Sequence, residues 1–165
     1  MDGRQIVTRL VLAKLGLPEV RLDTFAERLV VQKSIYLAQA AGVNMGYSFR
    51  WYLRGPYLPE LTSDVFSIAS ELKTGFDESA GWTLDEAALS ALGRVQGLMP
   101  DGDLPARARQ LELLASVHFL VNQRQVAHAE ASEVQEVLRR YGKDYTSEEV
   151  AGALRTLRQH ELLGA

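Results

Sequence analysis

Two groups of residues in this sequence have types and spacing suited to chemistry. Lys33 and Tyr36 stand three apart in a helical run, which places both on one helix face. Arg50, Tyr52 and Arg54 alternate with Phe49, Trp51 and Leu53, so on a strand the two arginines and the tyrosine share one side. Gly55-Pro56-Tyr57 follows at once. All of this suits recognition better than catalysis. A lysine steadied by a tyrosine offers a fixed cation to an acidic partner. Two arginines flanking a tyrosine can stack on bases and reach phosphates. They can equally anchor a protein interface, where both residue types are enriched. Plainer readings stay open. The lysine stem can cover apolar surface with its ammonium in water, and the strand face can simply be solvated. In Gly55-Pro56-Tyr57, Gly55 permits a turn at positive φ, Pro56 stiffens it and Tyr57 packs down on the core. A rigid turn also displays its neighbours well, so architecture and binding are compatible there.

Catalytic and metal-binding patterns are not evident. None of His118, His128 and His160 has a histidine or carboxylate at i+3 or i+4 to make a ligand pair. His118 lies in an apolar helical run and reads as a satisfied core histidine. The carboxylate pairs Asp85-Glu86 and Glu148-Glu149 fall at helix starts, where acids complement the helix dipole. Asp77-Glu78 is the third such pair. There is no phosphate-cradling glycine loop, nucleophile elbow or His-Glu-x-x-His motif. The sequence therefore predicts no catalytic residue, no metal site and no cofactor.

The elements that must position these residues are legible from caps and periodicity. Thr24…Glu27, Thr83…Glu86, Ser132…Gln135 and Thr146…Glu149 all have capping-box spacing, and Gly42, Gly75 and Gly142 follow helical runs. Helices are expected at about 5–15, 25–41, 59–73, 84–98, 106–123, 133–141 and 147–162. The second is apolar on most of its circumference and so should be central. A strand is expected over 47–53, with a possible return strand within 76–82. Residues 100–105 read as a linker between an N-terminal part, 1–99, and a C-terminal helical part, 106–165, packed on it. The fold class is mainly α: one compact domain of about six to seven helices, a small strand or hairpin, and a C-terminal winged-helix-like three-helix unit. The 165 residues suffice for such a core without disulfides, and the chain has no cysteine. A net charge of −3, from 18 Lys and Arg against 21 Asp and Glu, argues against a generally basic nucleic-acid binder. The first residues lack a signal-peptide pattern and no apolar run approaches the ~20 residues of a membrane span. A cytoplasmic protein with no membrane partner is expected.

Two stretches carry a family resemblance: Gln32-Lys33-Ser34-Ile35-Tyr36-Leu37-Ala38-Gln39, and Phe49-Arg50-Trp51-Tyr52-Leu53-Arg54-Gly55-Pro56-Tyr57-Leu58-Pro59-Glu60-Leu61. Together they resemble the Panacea-type antitoxin domains and their relatives, among them YwgA-type small bacterial proteins and the C-terminal domain of DarG-type antitoxins. The similarity covers residues 29–72 and continues more weakly through Leu111-Glu112-Leu113-Leu114-Ala115-Ser116-Val117-His118. The chain departs from relatives in having Val30-Val31 where a further basic residue often stands, and it carries no macrodomain or N-terminal regulator domain. The resemblance implies a non-enzymatic module that neutralises a separately encoded protein toxin by direct binding. It points to Lys33, Tyr36, Arg50, Tyr52, Arg54, Gly55, Pro56 and Tyr57 as the partner-binding region. The alternative is a winged-helix-like DNA-binding regulator. Its recognition helix would be the last one, although Ser147-Glu148-Glu149 at its start would face phosphate unfavourably. The sequence does not specify an oligomeric state.

Overall fold

A computed structural model describes residues 1–164. Its organisation follows from two helices that are apolar almost all round. Helix α2, Phe25–Ala40, is buried at every position from Leu29 to Ala38. Helix α5, Leu104–Asn122, is buried without interruption from Leu111 to Leu120. Such helices are stable only when covered on all sides, and here they pack on each other as the spine of one core. Helices α1 (Gly3–Lys14), α3 (Pro59–Lys73) and α4 (Glu86–Gln96) cover α2. Helices α6 (Ala131–Arg140) and α7 (Ser147–Gln159) pack on each other and on α5, completing the C-terminal three-helix unit. The protein is thus mainly α, with seven helices and one two-stranded sheet among the described residues. None of these helices is long and apolar enough to cross a membrane.

The strands differ from the sequence expectation. Strand β1 is only Arg50–Tyr52, and its antiparallel partner is β2, Gly55–Tyr57. Trp51 faces Pro56 and Tyr52 faces Gly55, so Gly55-Pro56-Tyr57 is a strand and the turn lies before it, at Leu53 and Arg54. Residues 76–82 make turns and contribute no strand. The extended segment does not join the sheet at Tyr47 because Gln39 of α2 takes its backbone. The Gln39 side chain donates to the Tyr47 carbonyl at 2.5 Å and accepts from its N–H at 3.0 Å. Alternation also fails at Leu53, expected on the strand face it shares with Phe49 and Trp51. It sits on the turn and is 82% exposed.

Two of the four capping boxes form, at Thr24–Glu27 and Thr146–Glu149. A third, not anticipated, links Asp2 and Gln5 at the start of α1. Thr83 does not cap α4; Asp85 does, accepting from the Ala88 N–H at 2.7 Å. Ser132 lies inside α6, which starts two residues earlier than predicted and has no side-chain cap. Glu133 reaches back instead to accept from the N–H groups of Ala127 and His128, bracing the loop before α6.

Candidate functional site

The two stretches that carry the family resemblance meet in space. From α2, Gln32 donates to the Leu58 carbonyl and to Thr62 Oγ1, both at 2.8 Å, and accepts from the Leu58 N–H at 3.1 Å. Next to it, Lys33 Nζ donates to the Pro56 carbonyl at 2.6 Å. The central helix thereby holds the backbone of β2 and the start of α3. Gly55 completes the clamp from the other side. It has φ +83°, and a Cβ there would collide with Ser116 Oγ of α5. Only glycine satisfies both conditions, so the hairpin lies close against α5.

Lys33 contradicts both of its sequence readings. Its side chain is 1% exposed, so its ammonium neither reaches water nor stands free for a partner. Burial drives its pKa down from 10.5 to about 7; the field of Glu112 opposes the fall and that of Lys143 reinforces it. Glu112 is buried on α5 and accepts from Lys143 Nζ at 2.5 Å. Arg54 Nη1 approaches its other oxygen at 3.8 Å. Two cations, Lys143 and Arg54, therefore approach one carboxylate, with Lys33 within its field.

A cleft of about 600 Å³ opens over this cluster, between the hairpin turn, α2, α5 and the loop joining α6 to α7. Arg54, Glu112, Lys143, Arg109 and Tyr145 line it. Arg109 is stacked over the Tyr145 ring at 4.5 Å and paired with Glu149 at 3.0 Å, which fixes its guanidinium at the wall. Tyr145 is itself buried, and burial together with Glu112 raises the pKa of its hydroxyl.

Exposed apolar side chains surround the cleft. Phe25 and Leu53 line it, and Arg54 stands over the Phe25 ring at 5.7 Å. A smaller hollow on one side joins Phe25 and Arg54 to Tyr57 and Phe66. Another joins Leu53 and Tyr52 to Trp51 and Tyr141. Phe66, Phe25, Leu53, Tyr52 and Tyr141 are all exposed, and they form an apolar rim around the cleft and the two hollows beside it.

Of the predicted residues, the structure brings Lys33, Tyr52, Arg54, Gly55, Pro56 and Tyr57 to this region. Lys33, Gly55 and Pro56 are buried supports, while Tyr52 and Arg54 are exposed. Tyr57 is half-buried, bonded through its hydroxyl to Thr62 and packed on Tyr52 with ring centroids 5.5 Å apart. Arg50 is exposed at the base of the hairpin, paired across from Tyr57. Tyr36 lies elsewhere. It is buried against Phe49, and its hydroxyl meets Nδ1 of His118 at 2.7 Å beside a separate polar cleft. Burial lowers the His118 pKa to about 4 and leaves the ring neutral, a satisfied core histidine. Sequence reasoning missed Phe25, Arg109, Glu112, Lys143 and Tyr145. Glu112 had a signal, a lone acid in the apolar run Leu111-Glu112-Leu113-Leu114. No residue pattern marks Lys143 or Tyr145, which depend on how α6 and α7 fold back on α5. Among the described residues, no three His, Asp or Glu side chains gather to hold a metal ion. Compared with known proteins, the chain matches no family model, no curated protein and no solved structure.

Proposed function

We propose that this chain is a non-enzymatic interaction module which, like the antitoxins its Gln32–Gln39 and Phe49–Leu61 motifs resemble, neutralises a separately encoded toxin by direct binding. One observation carries the proposal: large apolar side chains stand exposed around the cleft, two of them, Tyr52 and Leu53, on a hairpin that is braced from beneath. A contiguous apolar patch rimmed by polar groups is characteristic of a protein-binding surface. Bracing matters because ordering a mobile side chain on binding costs ~0.5–1.5 kcal/mol. Here Gln32, Lys33 and Gly55 have already ordered the backbone that presents Tyr52, Leu53 and Arg54. Tyrosine and arginine at such a place supply wide contact area with polar tips, as interface hot spots do.

The experiment is co-expression with the product of the gene adjacent to this one in its genome of origin. The proposal expects that product alone to arrest growth, co-expression of this chain to relieve the arrest, and the two to co-elute as a stable complex. An arrest that this chain does not relieve, or relief without a complex, would overturn it.

A further inference from the structure

We propose that the cleft between the hairpin turn and the α6–α7 loop seats a carboxylate of an acidic peptide segment, held by Arg54, Arg109 and Lys143. This rests on the interaction role proposed above and supplies the chemistry of the partner's anchor. Charge balance is its first support. Glu112 is shared by Lys143 at 2.5 Å and Arg54 at 3.8 Å, and Lys33 lies within its field. Two cations, Lys143 and Arg54, on one buried anion leave this cluster short of negative charge before any ligand arrives, and unbalanced charge next to a low-dielectric wall attracts a counter-charge strongly.

Donor geometry is the second. Arg54 is exposed, and among the described residues its only ion pair is the one to Glu112, which at 3.8 Å is too long for a hydrogen bond. Its donors therefore face the cleft mouth uncommitted. Arg109 engages Glu149 and the Asp144 carbonyl through Nη2 alone. Stacking on Tyr145 holds the rest of its guanidinium in place. Two arginines at one cleft, both held against aromatic rings, suit the bidentate recognition of a carboxylate.

The surroundings select a peptide over a nucleic acid. Phe25, Leu53, Pro105 and Ala108 supply apolar lining beside the cations. Asp144 lines the cleft and Glu149 stands against Arg109. A polyphosphate backbone would meet these acids at its next charge, whereas a peptide can place apolar side chains on Phe25 and Leu53 between single carboxylates.

The test titrates the full, isotope-labelled chain with a blocked hexapeptide alternating leucine and glutamate, and follows backbone amide shifts. Its glutamine counterpart and a single-stranded and a duplex oligonucleotide serve as comparisons. The expected result is saturable shifts at Arg54, Glu112, Lys143 and Tyr145 with the acidic peptide, and affinity at least about tenfold lower for the glutamine peptide. Arg54→Gln and Arg109→Gln should each weaken the acidic peptide about tenfold, the contribution of one charge-assisted hydrogen bond, with the remaining spectrum unchanged. Equal affinity for the two peptides, shifts confined to other surfaces, no saturable binding at millimolar peptide, or tighter binding of either oligonucleotide at the cleft would overturn it. If relief of growth arrest succeeds while this titration fails, the acidic anchor is lost and the interaction role survives. If the titration succeeds and relief fails, the carboxylate site stands without the toxin.

Discussion

Gly55 and Ser116 are coupled in a way that a double-mutant cycle can read. The Ser116 hydroxyl is buried and has no hydrogen-bond partner, and it occupies the space that a Cβ on Gly55 would need. Gly55→Ala adds a steric collision to backbone strain at φ +83° and should cost about 2–4 kcal/mol in chemical denaturation. Ser116→Ala alone should be nearly neutral, because it removes an unsatisfied polar atom. In the Gly55→Ala background it should recover about 1–2 kcal/mol, the steric part only, since the next atom is then at an ordinary 3.5 Å. Strict additivity would show that the hairpin does not approach α5 this closely. Lys33 makes a pH prediction. Its folded pKa, about 7, lies below the ordinary 10.5. Between these values the unfolded chain holds a proton that the folded chain has released, so stability gains from rising pH. Denaturation at pH 7, 8 and 9 should show the protein gaining about 1 kcal/mol per pH unit relative to Lys33→Met. The buried tyrosines Tyr36, Tyr47 and Tyr145, with raised pKa values, act in the opposite direction only near pH 10 and above. Parallel pH profiles for the two proteins would mean that Lys33 is solvated. The lysine, glycine and proline were legible as a motif, but their burial was not. Spacing puts Lys33 on a face with Tyr36, and the apolar circumference marks α2 as central, but neither reveals that its lysine is buried with the rest.

At the scale of elements, helices were read more reliably than strands, for a physical reason. A helix is specified by caps and periodicity within its own sequence, whereas a strand needs a partner. Residues 47–53 alternate well, yet only Arg50–Tyr52 pair, because Gln39 takes the backbone of Tyr47. The partner itself, Gly55-Pro56-Tyr57, has turn-forming residues and no apolar alternation. It is a strand because Gln32 and Lys33 hold its far side and the left-handed Gly55 closes the turn. The two capping boxes that failed were displaced by stronger local bonds. Asp85, an ionised acceptor at the start of α4, outcompetes Thr83. Glu133 leaves Ser132 inside α6 by bonding the preceding loop. The consequence is measurable: Asp85→Ala should lower stability by about 1 kcal/mol, while Thr83→Ala should change it by less than about 0.3 kcal/mol. The reverse order would place the start of α4 at Thr83.

At the scale of the whole molecule, an acidic chain gathers Arg54, Arg109 and Lys143 at one cleft. The spine of α2 and α5 makes this possible: it buries Lys33 and Glu112 from its two helices and leaves the hairpin turn and the α6–α7 loop to close the site. The apolar rim lies on the same face, and its most exposed member, Leu53, supports nothing in the core. Leu53 therefore separates binding from folding better than any residue of the clamp. The decisive measurement is the dissociation constant of Leu53→Asp for the product of the adjacent gene, the partner proposed above, by titration calorimetry, alongside its thermal midpoint. The hairpin account predicts an affinity at least about a hundredfold weaker, as expected for a charge placed at the centre of an apolar anchor site, with the midpoint within about 2 °C of the parent. Undiminished affinity in a protein of unchanged midpoint would contradict it and place the binding surface away from the hairpin.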